Sequence, residues 1–287
     1  MIAHVAAAGE QRGRVVLKLG CRQPSPVAIA AAVRLARAFQ SELESLFVEE
    51  QQLFDAASFP FVRETSLSGR HTRDVTPETI ARQMRHVAQD MMRRIEAMAR
   101  EAEVPARSTI VRDDPVQAMA RACRECGPWN VIALADCTMP ATGEAIRDLF
   151  DQVLDTTGVV LTGPNARTTE GPIAVALEDA AHLESMVRAA QRLVPEDQEG
   201  RVVILLIADD ETRLAELEGQ TRLIVQKSDV SIVKSAPAHG SPLVPVEALR
   251  RLGCGFAIGK LGGRLVPLHG SLRHLATALE CPLFIVR

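Results

Sequence analysis

The chain has no tyrosine and one tryptophan, Trp129, and aromatic residues make up 3% of its 287 positions. Proteins that bind single strands stack bases on aromatic rings, so a platform of that kind is not expected. Positive charge is not in excess either. The formal net charge is −3 and the pI is about 6.2, which argues against the basic face of a nucleic-acid binder. No long block of one sign interrupts the chain, and with 47% hydrophobic and 24% charged residues gross disorder is not expected. The longest apolar runs, among them Val202 to Ala208, are far too short to cross a bilayer. The opening MIAHVAAAGEQRGR lacks a basic stretch followed by a long apolar core, so a signal peptide is not expected and the cytoplasm is the expected location. Six cysteines scattered through a chain of this length do not read as a disulfide framework.

Catalytic signatures are also missing. There is no HExxH, no Walker A and no GxGxxG after a first strand. The seven histidines are dispersed and form no metal signature, and no Ser/His/Asp or Cys/His arrangement stands out. No catalytic residue is assigned. The third strand, read at Ser108 to Val111, does not end in the aspartate of a phosphate-accepting receiver. Neither half carries the Ser-Gly-Gly loop of a pyrophosphatase-type ATP enzyme. Cys123 and Cys126 have CxxC spacing, but no second pair at zinc spacing accompanies them, and Cys123 falls on a buried helical stripe.

What is present is a repeated alternation of strand and helix. Val15 to Leu19 reads as a strand, and Pro24 and Pro26 suit the start of the helix that follows. Leu43 to Val48 reads as a second strand, which makes a parallel crossover unit. Residues 49–76 read as an irregular insert anchored by Phe54, Phe59 and Phe61. Thr76-Pro77-Glu78-Thr79 signals a helix start. Ile80, Met84, Val87, Met91, Ile95 and Met98 then recur at helical spacing among five arginines. Such a basic helix marks a membrane surface or a partner in some proteins; the simpler reading is an amphipathic helix covering a sheet. Asp114 and Pro115 open the next helix, a strand runs over 129–134, Ile146 to Val153 is helical, and 158–161 is a strand.

The turn-rich segment Thr162 to Pro172 reads as a linker, after which the pattern restarts. Strands are expected at 173–177, 202–208, 230–233, 256–258 and 283–286, with a helix over 271–280. The chain therefore reads as an internal duplication of one α/β unit. Alternating strands and helices imply a parallel, doubly wound sheet in each half.

The residues most suggestive of a ligand run from Gly253 to Ser271, GCGFAIGKLGGRLVPLHGS. A short strand leads into Gly259, Gly262 and Gly263, then Gly270-Ser271 at a helix start. Glycine lets backbone N–H groups approach a phosphate, and the free N–H groups of a helix start point toward it. Lys260 and Arg264 add positive charge. His269, just before Gly270, either approaches a ligand phosphate or faces solvent in the loop.

This layout resembles the universal stress protein family in its tandem form. The resemblance rests on Asp113-Asp114-Pro115-Val116 with the helix and strand that follow, on Gly259-Lys260-Leu261-Gly262 with Gly270-Ser271, and on the closing His274 to Val286 with its Cys281-Pro282 junction. It covers nearly the whole chain. It implies two Rossmann-like, adenine-nucleotide-α-hydrolase-like doubly wound domains in tandem, each with a parallel five-stranded sheet, over residues 1–165 and 166–287. It implies pairing of the halves through their last strands as an intramolecular pseudo-dimer, with a further homodimer and an unidentified protein partner left open. It also implies a stress-response or regulatory protein binding ATP or another adenine nucleotide, with or without magnesium, and at most slow hydrolysis. The family spacing is Gly-x2-Gly-x9-Gly-Ser/Thr; here the second gap is seven residues and contains Pro267. The residues carried over are Glu178 at the end of a first strand, Ala208 at the end of a second, near the expected adenine, and Gly259, Lys260, Gly262, Gly270 and Ser271 on the phosphates. Glu178 and Asp179 read equally well as first-turn helix acids. The first half lacks the motif, with only Gly143 beyond its fourth strand and no acid after its first, and reads as a structural copy. A protein of the same fold that binds no nucleotide and serves as an interaction partner or scaffold is the alternative.

Overall fold

The computed structural model describes residues 13–20, 22–125, 130–135, 142–153, 156–194, 202–225, 230–238 and 243–287. Trp129, Cys126 and Pro242 lie outside the described residues, as does most of the segment after the fourth strand of the first half.

The first half of the chain forms β1 (Arg14–Leu19), α1 (Pro26–Ala38), β2 (Glu42–Glu50), α2 (Gln51–Ala57), the short hairpin β3 (Arg63–Thr65) and β4 (Thr72–Asp74), α3 (Pro77–Glu101), β5 (Ala106–Asp113), α4 (Pro115–Arg124), β6 (Asn130–Leu134), α5 (Gly143–Gln152) and β7 (Thr156–Leu161). The second half forms β8 (Ile173–Leu177), α6 (Leu183–Leu193), β9 (Val202–Leu206), α7 (Glu211–Ile224), β10 (Val230–Lys234), α8 (Leu243–Leu252), β11 (Phe256–Lys260), α9 (Arg273–Ala278) and β12 (Leu283–Val286). The helix starts follow from side chains that accept otherwise free N–H groups. Ser25, Thr76 and Asp114 cap α1, α3 and α4, each with proline in the first turn.

The strands form one ten-stranded sheet in the order β10-β9-β8-β11-β12-β7-β6-β1-β2-β5. Every neighbouring pair is parallel except β12 and β7, which run antiparallel with Leu283 opposite Leu161 and Val286 opposite Gly158. The five-stranded sheet expected for each half is thus corrected to one continuous ten-stranded sheet, joined where the last strands of the two halves pair, as the family resemblance implies. The cause lies in the last strands. Leu283 to Val286 are all buried, and an apolar strand left at an edge presents unpaired N–H and C=O groups. Pairing β12 with β7 satisfies both edges at once. Gly158 permits the contact, because a Cβ there would lie 2.1 Å from the Phe284 ring.

Helices cover both faces. Val15, Leu17 and Leu19 point into a core with α1, α3 and α6, whereas Val16, Leu46 and Ile132 point into one with α4, α5, α8 and α9. This is the strand alternation of a doubly wound sheet buried on both sides. The basic helix α3 buries Met84, Ala88, Met91, Ile95 and Ala99 and leaves arginines such as Arg85 and Arg93 in water.

Three further elements differ from the sequence expectation. The insert holds α2 and the hairpin; Phe54 packs under the Arg112 guanidinium at 3.7 Å, while Phe59 and Phe61 stack on each other and stay exposed. Helix α9 is confined to Arg273–Ala278. Strand β5 runs on to Asp113, so an aspartate does close the third strand. The receiver architecture is instead excluded by topology: it places its third strand beside the first, whereas β5 is the outermost strand. The Asp113 carboxylate accepts from the Asp114 N–H and from Arg121.

Candidate functional site

The strand order of the second half reverses at β8, which has β9 on one side and β11 on the other. Chains leave β8 and β11 in opposite directions there, and the gap between them at the carboxyl ends is where α/β sheets bind ligands. A cleft of about 250 Å³ opens at that point. It is lined by Glu178 and Asp179 after β8, by His182 and Met186 beyond them, and by residues 260–264 after β11.

The loop after β11 is shaped by its glycines. Gly262 has φ +88°, a conformation open to glycine and costly for other residues, and its N–H closes the turn onto the Val266 carbonyl at 2.9 Å. Gly263 provides close approach: a Cβ there would lie 2.6 Å from Glu178 Oε1. The Glu178 carboxylate sits on this loop and accepts the Arg264 N–H at 2.6 Å and the Leu265 N–H at 3.0 Å. Successive N–H groups aimed at one point form a nest for an anion, and here the anion is the chain's own side chain.

Charges around the nest are paired. The Arg264 guanidinium lies 3.1 Å and 2.5 Å from the two Asp209 oxygens and 3.7 Å from Glu178. The hydrogen bonds to Asp209 raise the pKa of Arg264 above its usual value. Lys260 Nζ is 2.7 Å from His182 Nε2. Asp179 accepts the Ala181 N–H at 3.1 Å, so it caps the turn that leads into α6 while Glu178 reaches across to the loop.

Of the residues carried over from the family pattern, Glu178, Lys260 and Gly262 line this cleft. Gly259 lies within β11, in register with Ile285, behind the loop. Ala208 is fully buried after β9, its carbonyl accepting the Ala238 N–H at 2.8 Å. Gly270 and Ser271 lie against the first half. Ser271 forms an antiparallel bridge with Thr142, the Gly270 carbonyl accepts the Gly143 N–H at 3.1 Å, and a Cβ on Gly143 would lie 2.1 Å from the Pro267 carbonyl oxygen. The start of α5 and the approach to α9, equivalent positions in the two halves, thus meet each other. His269 is exposed, with Nδ1 3.0 Å from Glu144 Oε1, and the same oxygen faces the Gly270 N–H at 3.3 Å. The backbone N–H of Glu144 itself first and then His269 hold the Glu144 carboxyl below its ordinary pKa of 4.5.

Sequence reasoning named Gly263 among the loop glycines without giving it a role of its own, and did not single out Asp209 or His182. The Gly262-Gly263 doublet and the Asp209-Asp210 doublet after β9 were the available signals. Among the described residues, no group of three or more His, Cys, Asp or Glu is placed to hold a metal, and no helix is long and apolar enough to cross a membrane. A wider cleft of about 650 Å³ lies over α3, lined by Glu78, Arg82, Arg85 and Arg112 among others, away from the strand reversal of either half.

Neither a family model nor a curated protein matches the chain. Solved structures do. A candidate universal stress protein from Pseudomonas aeruginosa aligns over 96% of this chain and 93% of its own, with 14% identity and a TM-score of 0.52. A protein of unknown function from the same species aligns over 96% and 92%, with 14% identity and a TM-score of 0.52. The cytoplasmic domain of a prokaryotic cation chloride cotransporter aligns over 96% and 95%, with 10% identity and a TM-score of 0.52. At these identities the likeness is one of fold alone, an α/β architecture with a large, mostly parallel sheet covered by helices.

Proposed function

We propose that the chain is a stress-response or regulatory protein made of two universal-stress-like domains, residues 1–165 and 166–287, that binds ATP or a related adenine nucleotide in its second half. The observation that carries this reading is the nest after β11, which already holds an anion at the carboxyl end of the switch-point strands. A phosphate has the charge and the acceptor oxygens to take the place of the Glu178 carboxylate on the Arg264 and Leu265 N–H groups. Lys260 would add charge from the same cleft. A nucleotide would supply no chemistry of its own to these residues; their part is to bind and orient it. The tandem arrangement is supported by the sheet, in which two equivalent five-strand orders join through their last strands.

A second reading, an interaction or scaffold protein that binds no nucleotide, is favoured by the size of the cleft. Its volume of about 250 Å³ is below the roughly 300–1,000 Å³ common for small-molecule sites, and the nest is already filled. Calorimetric titration of the full chain and of Glu178→Ala with ATP, ADP and AMP separates the two. Heat of binding by either protein, lost on Gly262→Val, supports the nucleotide reading. Absence of binding by both at about millimolar nucleotide, a Kd limit near 4 kcal/mol of binding energy, sinks it and leaves the scaffold reading.

A further inference from the structure

Cys254 and Cys281 lie 27 positions apart, yet their Sγ atoms are 3.4 Å from each other and both residues are buried. The fold brings them together for a simple reason. Cys254 sits just before β11 and Cys281 just before β12, and these strands are parallel neighbours with Ala257 opposite Leu283. The two thiols therefore occupy the same amino-terminal end of adjacent strands. Gly253, with φ +58°, ends α8 and turns the chain so that Cys254 points inward. Nothing in the proposed nucleotide site uses this pair, which lies at the opposite end of β11 from the glycine loop.

We propose that Cys254 and Cys281 form a redox-active dithiol that a small hydroperoxide closes to a disulfide. An S–S bond is about 2.05 Å long, so each sulfur has to move by only ~0.7 Å. A cleft of about 140 Å³ is lined by both cysteines, and by Arg250 and Glu280, which are joined by an ion pair at 3.1 Å. A water occupies roughly 30 Å³, so hydrogen peroxide fits this cleft and a peptide-sized disulfide does not. The two thiols are not equivalent. The hydrogen bond from Cys281 lowers the pKa of Cys254, whereas that bond together with burial raises the pKa of Cys281. Cys254 is the attacking sulfur and Cys281 the resolving one, since the thiolate is the nucleophile.

The steps balance. The Cys254 thiolate attacks one peroxide oxygen, an S–O bond forms, the O–O bond breaks, and the departing hydroxide takes a proton to become water. Cys254 is then a sulfenic acid. The Cys281 sulfur attacks the Cys254 sulfur, an S–S bond forms, and the displaced hydroxide leaves with the Cys281 proton as a second water. Two thiols are oxidised by two electrons and one peroxide is reduced to two waters. The resulting bond would tie the start of β11 to the start of β12 and enclose the glycine loop and α9 between them.

The test uses the full chain treated with hydrogen peroxide, followed by alkylation of remaining thiols and peptide mapping. The expected product is a peptide pair linking Cys254 to Cys281, formed with one peroxide consumed per two thiols lost and reversed by dithiothreitol. Cross-linking a loop of this length should also raise Tm by several degrees. In Cys281→Ser, Cys254 should stop at the sulfenic acid and be trapped by dimedone. In Cys254→Ser, Cys281 should react about tenfold more slowly or not at all. Mapping of the unmodified chain needs no variant to fold. The proposal is overturned if peroxide oxidises other cysteines while Cys254 and Cys281 remain alkylatable, or if Cys254 is oxidised and no link to Cys281 forms.

Discussion

Replacing Glu178 with alanine distinguishes two roles that predict opposite signs. The Glu178 carboxylate accepts the N–H groups of Arg264 and Leu265 at 2.6 Å and 3.0 Å. A hydrogen bond to a charged group contributes about 1.5–3 kcal/mol net when buried. The Glu178 side chain is 18% exposed and Arg264 is 40% exposed, so water competes and about 1 kcal/mol per bond is the better figure. The pair then holds the loop closed by about 2 kcal/mol, roughly a 30-fold preference for closed over open. A ligand that needs the same N–H groups binds only the open fraction, and its apparent affinity falls by that factor.

Glu178→Ala should therefore lower stability by about 1–2 kcal/mol, since both N–H groups can hydrate once the carboxylate is gone. It should tighten ATP binding by about 30-fold. Denaturant unfolding measures the first effect and calorimetry the second. Glu178→Gln keeps an acceptor oxygen without the charge and should fall between the two proteins. If Glu178 instead grips the nucleotide directly, as an acid at this position does by family resemblance, alanine weakens binding. Weakened or unchanged affinity alongside the expected loss of stability would refute the idea that the carboxylate occupies the phosphate position.

Other perturbations probe the frame around the site. Gly262→Ala should cost about 1 kcal/mol in denaturant unfolding from its backbone conformation alone, because φ is +88° and nothing lies within 4 Å of the added Cβ; a neutral result would mean the turn relaxes. Glu44 is buried at 1% exposure and accepts from Arg14, Arg107 and Thr109. Glu44→Ala removes the acceptor shared by Arg14 and Arg107 but leaves Arg14 its Glu42 and Ala122 partners and Arg107 its Glu125 partner, so it should cost about 2–3 kcal/mol, read from the shift in denaturant midpoint. At the junction of the halves, Glu144 has a folded pKa below 4.5. Its contribution is then complete above 4.5 and disappears as pH falls through the lower, folded value. The Tm difference between the unaltered chain and Glu144→Gln should shrink between about pH 6 and about pH 3, and a constant difference would remove Glu144 from the linkage.

Much of the fold is legible in the sequence because each strand is an apolar run bounded by turn residues and each major helix announces its start. Asp114-Pro115 and Thr76-Pro77 are examples where cap and proline occur together. What could not be read is anything fixed by contacts between distant segments. The single sheet depends on how β12 meets β7; the apolar pattern of the last strand does not by itself say where it pairs, and the expectation of pairing across the halves comes from the family resemblance alone. The same holds for Gly270-Ser271. Their composition suits a phosphate-binding helix start, yet the structure places them on Thr142 and Gly143 of the other half. Glu178 shows a subtler failure. Its position at the end of a central strand is evident, but that its carboxylate reaches across to the Arg264 and Leu265 N–H groups depends on Gly263 having no Cβ.

These placements explain why the two halves differ in chemistry while sharing a strand order. The residue after β1 is Gly20, and the one after β8 is Glu178. The most buried ionic cluster of the first half, Arg14 with Glu44 and Arg107, gathers at the amino-terminal ends of β1, β2 and β5, where helices close over the sheet and no strand-switch crevice opens. Its charges serve to hold strands and α4 together. In the second half, Glu178, Arg264 and Asp209 gather at the carboxyl-terminal ends of β8, β9 and β11, where the chain must leave the sheet in opposite directions and a crevice is unavoidable. Ionic groups at the first location can be exchanged only for others that pack as well. At the second, under the proposed function, the Glu178 carboxylate is exchanged for a ligand. The contraction of the segment from Gly262 to Gly270 follows the same logic, since that segment spans from the crevice to α5 of the other half and its length is set by both ends. A loop that reaches the first half while folding around an internal carboxylate offers its N–H groups to an external anion only once that carboxylate leaves them, so Glu178 is the residue on which the proposed binding turns.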